Sequence, residues 1–195
     1  MQWVPFLLYI VVTSFTPGPN NMMSMAYSAK YGYKKSLKFI LGVTVGTTII
    51  VLLSSYFNLL LYSFIPKIKT GMSILGGLYM LYLAIKIMLN KPSGKDSNQK
   101  EMNSFFTGMI LQFVNPKTIL YGITTISTFV IPFYDSNASL LFFSIFLGFI
   151  GFLSTSSWAV FGALFQTFLA KYETAFHVVM GLLLMYSAVS IFIQE

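Results

Sequence analysis

Thr16-Pro17-Gly18-Pro19-Asn20-Asn21 interrupts the first apolar run of this chain, and Asn115-Pro116-Lys117 interrupts a later one. A proline inside a helix removes a backbone donor and clashes with the carbonyl four residues back, at a cost of ~3 kcal/mol. In hydrocarbon every freed backbone group must find a partner, so such breaks are tolerated where they are buried in protein or line a cavity. The run predicts a first half-helix ending near Thr16 and a second starting near Asn20, with the asparagine as its cap. Exposed N–H groups at the new N-terminus favour an anion such as a carboxylate. Unpaired carbonyls of the preceding half-helix favour an ammonium. A zwitterionic amino acid carries both charges, so one broken helix can address each end of it. A lone proline would read as a plain kink, but paired breaks in the two halves of a membrane chain point to a transport site.

Lys117 is the sharpest single residue. It lies about twelve residues into its apolar run, near mid-depth, where an ionisable group costs at least ~2.5–3.5 kcal/mol. Two roles stand side by side: Lys117 binds a substrate carboxylate or titrates during the cycle, or it satisfies the carbonyls opened by Pro116. Gln112 and Asn115, three residues apart, share a helical face and are expected to line the same cavity. Ser154-Thr155-Ser156-Ser157-Trp158 reads as helix packing and back-bonding within its own helix. Gly42-x-x-x-Gly46 and Gly76-Gly77 read as close helix contacts, and Met22, Met23 and Met25 as packing. His177, the single histidine, lacks companions for a metal site. No Asp or Glu lies deep in an apolar run, so a carboxylate proton relay is not expected. Any proton coupling would fall to Lys117, His177 or the substrate, and otherwise the protein works as a facilitator or exchanger.

The elements that carry these residues are membrane spans. Of 195 residues, 56% are hydrophobic and 9% charged, with twenty Phe and no cysteine; ordinary soluble domains are roughly 25% charged. Mean hydropathy is +0.75. The absence of cysteine excludes disulfides, thiolate metal sites and thioredoxin-like chemistry. The net charge of +7 comes from lysines lying mostly in short loops, a topology signal and not a nucleic-acid-binding face. The first run has no basic flank and no small-residue cleavage site, so it reads as a span and not a removed signal.

Six spans are expected, at about 3–28, 39–65, 71–89, 105–131, 139–165 and 175–193, each near the ~20 residues a bilayer requires. Lys86, near the end of the third, can snorkel to the interface. A polar connector at 90–104 joins half-repeats 1–89 and 105–195 of a single transporter domain. Nine lysines (30, 34, 35, 38, 86, 91, 95, 100 and 171) against Lys67 and Lys69 place both termini outside the cytoplasm. A five-span alternative, with a re-entrant first run, puts the N-terminus inside. Pro17 and Pro116 stand 99 positions apart. With three spans per half, the fold class is an all-α membrane protein of six helices in a 3+3 inverted repeat, with helices one and four broken.

TPGPNN in the first span, LGVTVG in the second, GGLYMLYLAIKIM in the third and G-x-x-x-Q-x-x-NPK in the fourth resemble the LysE/RhtB family of amino-acid exporters. The resemblance covers essentially the whole chain. LQFVNPKTILYGITTISTFVIP, FGALFQTFLAKY and LLLMYSAVSIF look most like its cysteine/O-acetylserine exporter branch. It implies efflux of small neutral amino acids across a prokaryotic plasma membrane, and makes Pro17, Gly18, Pro19, Asn20 and Asn115–Lys117 signature positions. Where some relatives place an acid in the second span, this chain has Thr47 and Thr48, so their coupling mechanism does not carry over directly. The expected substrate-binding set is Thr16, Pro17, Gly18, Pro19, Asn20, Asn21, Gln112, Asn115, Pro116 and Lys117. Neither cofactor nor metal is expected, and the partners admitted are a small amino acid, membrane lipid and further copies of the chain. The rival is a non-transporting membrane assembly or sensory subunit. An enzyme is a poorer third, lacking a nucleophile–base or metal constellation.

Overall fold

The computed structural model describes residues 1–61, eight positions between 74 and 89 (Ile74, Leu78, Leu81, Tyr82, Ala84, Ile85, Met88 and Leu89) and residues 104–193. The expected third span falls largely outside the described residues, as do Lys67, Lys69, Gly76, Gly77, Lys86 and the connector up to 103.

The described residues are helical, with no strand among them. α1 (Trp3–Phe15) and α2 (Pro19–Tyr31) are the two pieces of the first broken run. Gly32 alone separates α2 from α3 (Tyr33–Leu61), at φ +83°, a left-handed conformation that favours glycine. α4 (Phe105–Val114) and α5 (Pro116–Thr125) flank the second break, and a π-helical turn, Ile126–Val130, continues α5. α6 (Asn137–Leu164), the short α7 (Gln166–Lys171) and α8 (Glu173–Ile193) complete the chain. Ser104 and Ser136 cap α4 and α6 by accepting the N–H groups of Thr107 and Ser139.

Two described helices, α3 and α6, are long and apolar enough to cross a membrane. At 1.5 Å per residue each runs about 42 Å, beyond the ~30 Å of a hydrocarbon core. Their polar residues are disguised: Thr44, Thr48, Ser54, Ser55 and Ser144 each donate to the carbonyl four residues back, so a hydroxyl costs little in an apolar helix. Their outer faces carry bare hydrophobics such as Leu41, Val45, Leu53, Phe142, Ile145 and Phe149, which suits lipid far better than water.

α3 and α4 meet backbone to backbone. A Cβ on Gly46 would lie 2.6 Å from Gln112 Cγ and 2.6 Å from the Met109 carbonyl oxygen, and Gly42 and Gly108 are pressed as closely against Phe105 and Phe39. The Gly42-x-x-x-Gly46 spacing therefore marks a contact surface, as expected.

Three apolar clusters form the core. Phe6, Ile10, Val51, Tyr121, Ile126, Val130, Leu140, Phe143 and Leu147 make one. Tyr27, Phe39, Val43 and Leu111 make a smaller one between α2, α3 and α4. Met22 and Met25 join Ala84, Leu169, Met180 and Leu184 in the third, and Met23 packs against the smaller cluster, so all three early methionines are packing residues. The site lies between these clusters.

Candidate substrate cavity between two helix breaks

The first break leaves α1 with carbonyls that no helix can satisfy. Thr16 ends the helix, its N–H donating to Val12 O at 3.1 Å, and the next residue is a proline with no N–H to give. Side chains from three other helices close the open end. Asn21 Nδ2 donates to Ser14 O (2.9 Å) and Thr16 O (3.0 Å). Ser154 Oγ of α6 donates to Ser14 O at 2.7 Å, and Trp158 Nε1 reaches Phe15 O at 3.2 Å. Lys117 Nζ, from α5, donates to Thr16 O (2.9 Å), Thr16 Oγ1 (2.9 Å) and Pro17 O (3.2 Å).

Lys117 thus fills a structural role other than the one expected of it. The carbonyls it satisfies belong to the break at Pro17, 101 positions away, and not to its own neighbour Pro116. An ammonium does sit on the open carbonyls of α1, as the chemistry demands, but it is the protein's own. All three acceptors are neutral, so its charge is left without a counter-ion among these contacts. Lys117 also explains Gly18: a Cβ there would lie 3.1 Å from Lys117 Cδ and 3.2 Å from Nζ. Gly18 is extended, at φ −176°, so close approach and not backbone strain favours glycine.

The second half-helix starts one residue earlier than expected. Gly18 occupies the cap position and Pro19 the first helical position, where a missing N–H costs nothing. Asn20, expected as the cap, instead forms a reciprocal amide pair with Gln112: Asn20 Nδ2 donates to Gln112 Oε1 (2.8 Å), and Gln112 Nε2 to Asn20 Oδ1 (3.0 Å). Gln112 also donates to Gly108 O and accepts from Thr118 Oγ1, both at 2.9 Å. With two donors and two acceptors engaged, the Gln112 amide is fully used.

Asn115 is the whole of the second break. It has an extended backbone, ends α4 and caps α5, its Oδ1 accepting the Lys117 N–H at 3.1 Å. Pro116 follows at the first helical position. Asn115 is 1% exposed, and its Nδ2 has no hydrogen-bond partner.

A cavity of about 50 Å³ opens beside both breaks. At ~10–15 Å³ per water on this measure it holds roughly three to five waters, the scale of a small amino acid. Of the expected site residues, Gly18, Pro19, Asn20, Asn21, Asn115 and Lys117 line it; Thr16, Pro17, Gln112 and Pro116 stand behind the lining. Sequence reasoning missed Thr13, Ser14, Thr118 and Tyr121, and gave no cavity role to Thr47, Ser154 and Thr155, all of which line it. The hydroxyl run at 154–157 was the available signal: Ser154 ties α6 to the break and Thr155 faces the hollow, while Ser157 bonds back to Leu153 O within its own helix.

The cavity also sits at mid-length of the long helices. Thr47 is fourteen residues from either end of α3. Gly151, also on the lining, is fourteen from Asn137 and thirteen from Leu164 in α6. Each element crosses it on the way between apolar clusters. α3 passes from Phe39 and Val43, through Thr47, to Val51 of the larger cluster.

A hollow bordered by two proline breaks thus lies midway along two helices long and apolar enough to cross a membrane. The chain belongs to the LysE type translocator family, whose model matches residues 11–195. It is similar to the cysteine/O-acetylserine efflux proteins of Escherichia coli (strain K12), Shigella flexneri serotype 5b (strain 8401) and Shigella sonnei (strain Ss046). With each it shares 35% identity over 96% of this chain and 95% of the relative. No solved structure matches it.

Proposed function

We propose that this protein is a secondary exporter of small neutral amino acids or their derivatives, of the cysteine/O-acetylserine kind, in a prokaryotic plasma membrane. The observation that carries the reading is the cavity shared by the two breaks at the midpoints of α3 and α6. Its volume suits a small amino acid, and its lining offers a cation, helix N–H groups and several hydroxyls. The family membership and the printed names of the relatives support the same conclusion.

The architecture proposed is six spans in a 3+3 inverted repeat, half-repeats 1–89 and 105–195, with both termini extracytoplasmic. The positions of the two breaks, one near the start of each half, favour it. Gly18–Asn21, Asn115 and Lys117 contact the substrate, with Pro17 behind them. Thr16, Gln112 and Pro116 position those groups. Gln112 and Lys117 cross from one half to the other, so movement of the halves necessarily alters the site, as alternating access requires. The apolar clusters on either side of the cavity serve as the two closures: Tyr27, Phe39 and Val43 on one side, Phe6, Ile10 and Val51 on the other.

Counterflow in proteoliposomes with a panel of labelled amino acids tests the function. Exchange of O-acetylserine or cysteine is expected. If no amino acid exchanges, while Pro17→Ala and Pro116→Ala leave the protein's cellular role intact, the non-transporting reading replaces this one.

A further inference from the structure

The orientation of the bound amino acid follows from which groups in the cavity are already spoken for. The open carbonyls of α1, the obvious seat for a substrate ammonium, are occupied by Asn21, Ser154, Trp158 and Lys117. A second ammonium there would meet the charge of Lys117. Donors are among the groups still without a partner. Asn115 Nδ2 is buried on the cavity wall without an acceptor, a situation that costs ~1–3 kcal/mol and calls for a ligand or water. The three protons of Lys117 Nζ are all engaged by neutral oxygens, so it acts on the cavity through an uncompensated charge and not through a free N–H. The first-turn N–H groups of α2, at Asn20 and Asn21, precede its first intrahelical bond, Met22 N to Gly18 O.

We propose that the substrate carboxylate is held by Asn115 Nδ2 and the first-turn N–H groups of α2, within the field of the Lys117 charge. The site therefore reads an α-amino acid through its carboxylate, and an amine that lacks one is not a substrate. This assignment rests on the exporter reading and goes further by naming the groups that take the carboxylate.

Asn115→Asp separates recognition from folding. Aspartate caps a helix as well as asparagine does, so the bond from the Lys117 N–H survives while the Nδ2 donor is replaced by an anionic oxygen. The experiment is counterflow of labelled O-acetylserine, with unlabelled cysteine or cysteamine as competitor. Cysteamine is the same skeleton without the carboxylate. In the unaltered protein cysteine competes at least tenfold better than cysteamine. In Asn115→Asp cysteine loses that advantage, and the thermal transition of the protein stays where it was. Equal competition by the two compounds in the unaltered protein overturns the proposal, whether or not the variant folds. So does undiminished competition by cysteine in a folded Asn115→Asp. A complete absence of counterflow in the unaltered protein is a different result, which overturns the exporter reading and this assignment with it.

Discussion

Lys117→Met removes the ammonium and keeps most of the side chain's bulk. Three bonds go with it, two at 2.9 Å and one at 3.2 Å. A hydrogen bond from a charged donor contributes ~1.5–3 kcal/mol. Counting the two shorter ones in full, the fold loses about 3–6 kcal/mol. Methionine does not incur the ~2.5–3.5 kcal/mol of holding an ionised group at mid-membrane. Thr16 O also keeps its bond from Asn21, and Thr16 Oγ1 its bond to Thr13 O. The balance is a loss of about 0–3 kcal/mol, which leaves a folded protein. Substrate affinity should fall further, because a lost contact between charges of ~1.5–3 kcal/mol corresponds to roughly ten- to a hundredfold. Thermal unfolding in detergent and counterflow affinity, measured on the same preparation, check both halves of the expectation. A folded variant with unchanged affinity would reduce Lys117 to a strut across the break. A variant that does not fold would refute the energy balance.

Gly18→Ala should lower transport affinity about tenfold while leaving the fold intact: alanine accepts the extended backbone, but its Cβ crowds Lys117 Nζ and lengthens a bond to Pro17 O already at 3.2 Å. Measuring affinity alongside thermal stability checks this. Gly46→Val should behave in the opposite way, separating α3 from α4 and lowering the thermal transition steeply; overpacking of this kind costs ~1–3 kcal/mol or more. Unchanged stability would mean that α3 and α4 do not pack backbone to backbone.

Much of the site was legible as pattern along the chain. Prolines within apolar runs announced both breaks, and mid-span Lys117 announced itself by its cost. The partners were not legible. Nothing near Lys117 in sequence shows that its acceptors are Thr16 and Pro17, because that pairing depends on which helices meet and at what height. The same limit hid Trp158, whose indole caps Phe15 from another helix, and gave Ser154 a local reading when its proton goes to Ser14. Asn20 was expected to cap α2 because capping is the commonest use of asparagine at a helix start, and a long-range amide partner overrode it. Gln112 was placed on the cavity by its spacing from Asn115, whereas its amide is spent on Asn20, Gly108 and Thr118. The π-helical turn at Ile126–Val130 follows a run of Thr, Ile and Gly that reads as ordinary helix in sequence.

The natural chain contains no cysteine, so a single Thr155→Cys places the only thiol of the molecule on the cavity wall. Its conversion to a mixed disulfide by a small water-soluble thiosulfonate, with sulfinate leaving, should slow strongly in proteoliposomes when O-acetylserine saturates the protein. Equal labelling with and without O-acetylserine, in a variant that still transports it, would place the substrate elsewhere and contradict the hollow between the breaks as the site of recognition.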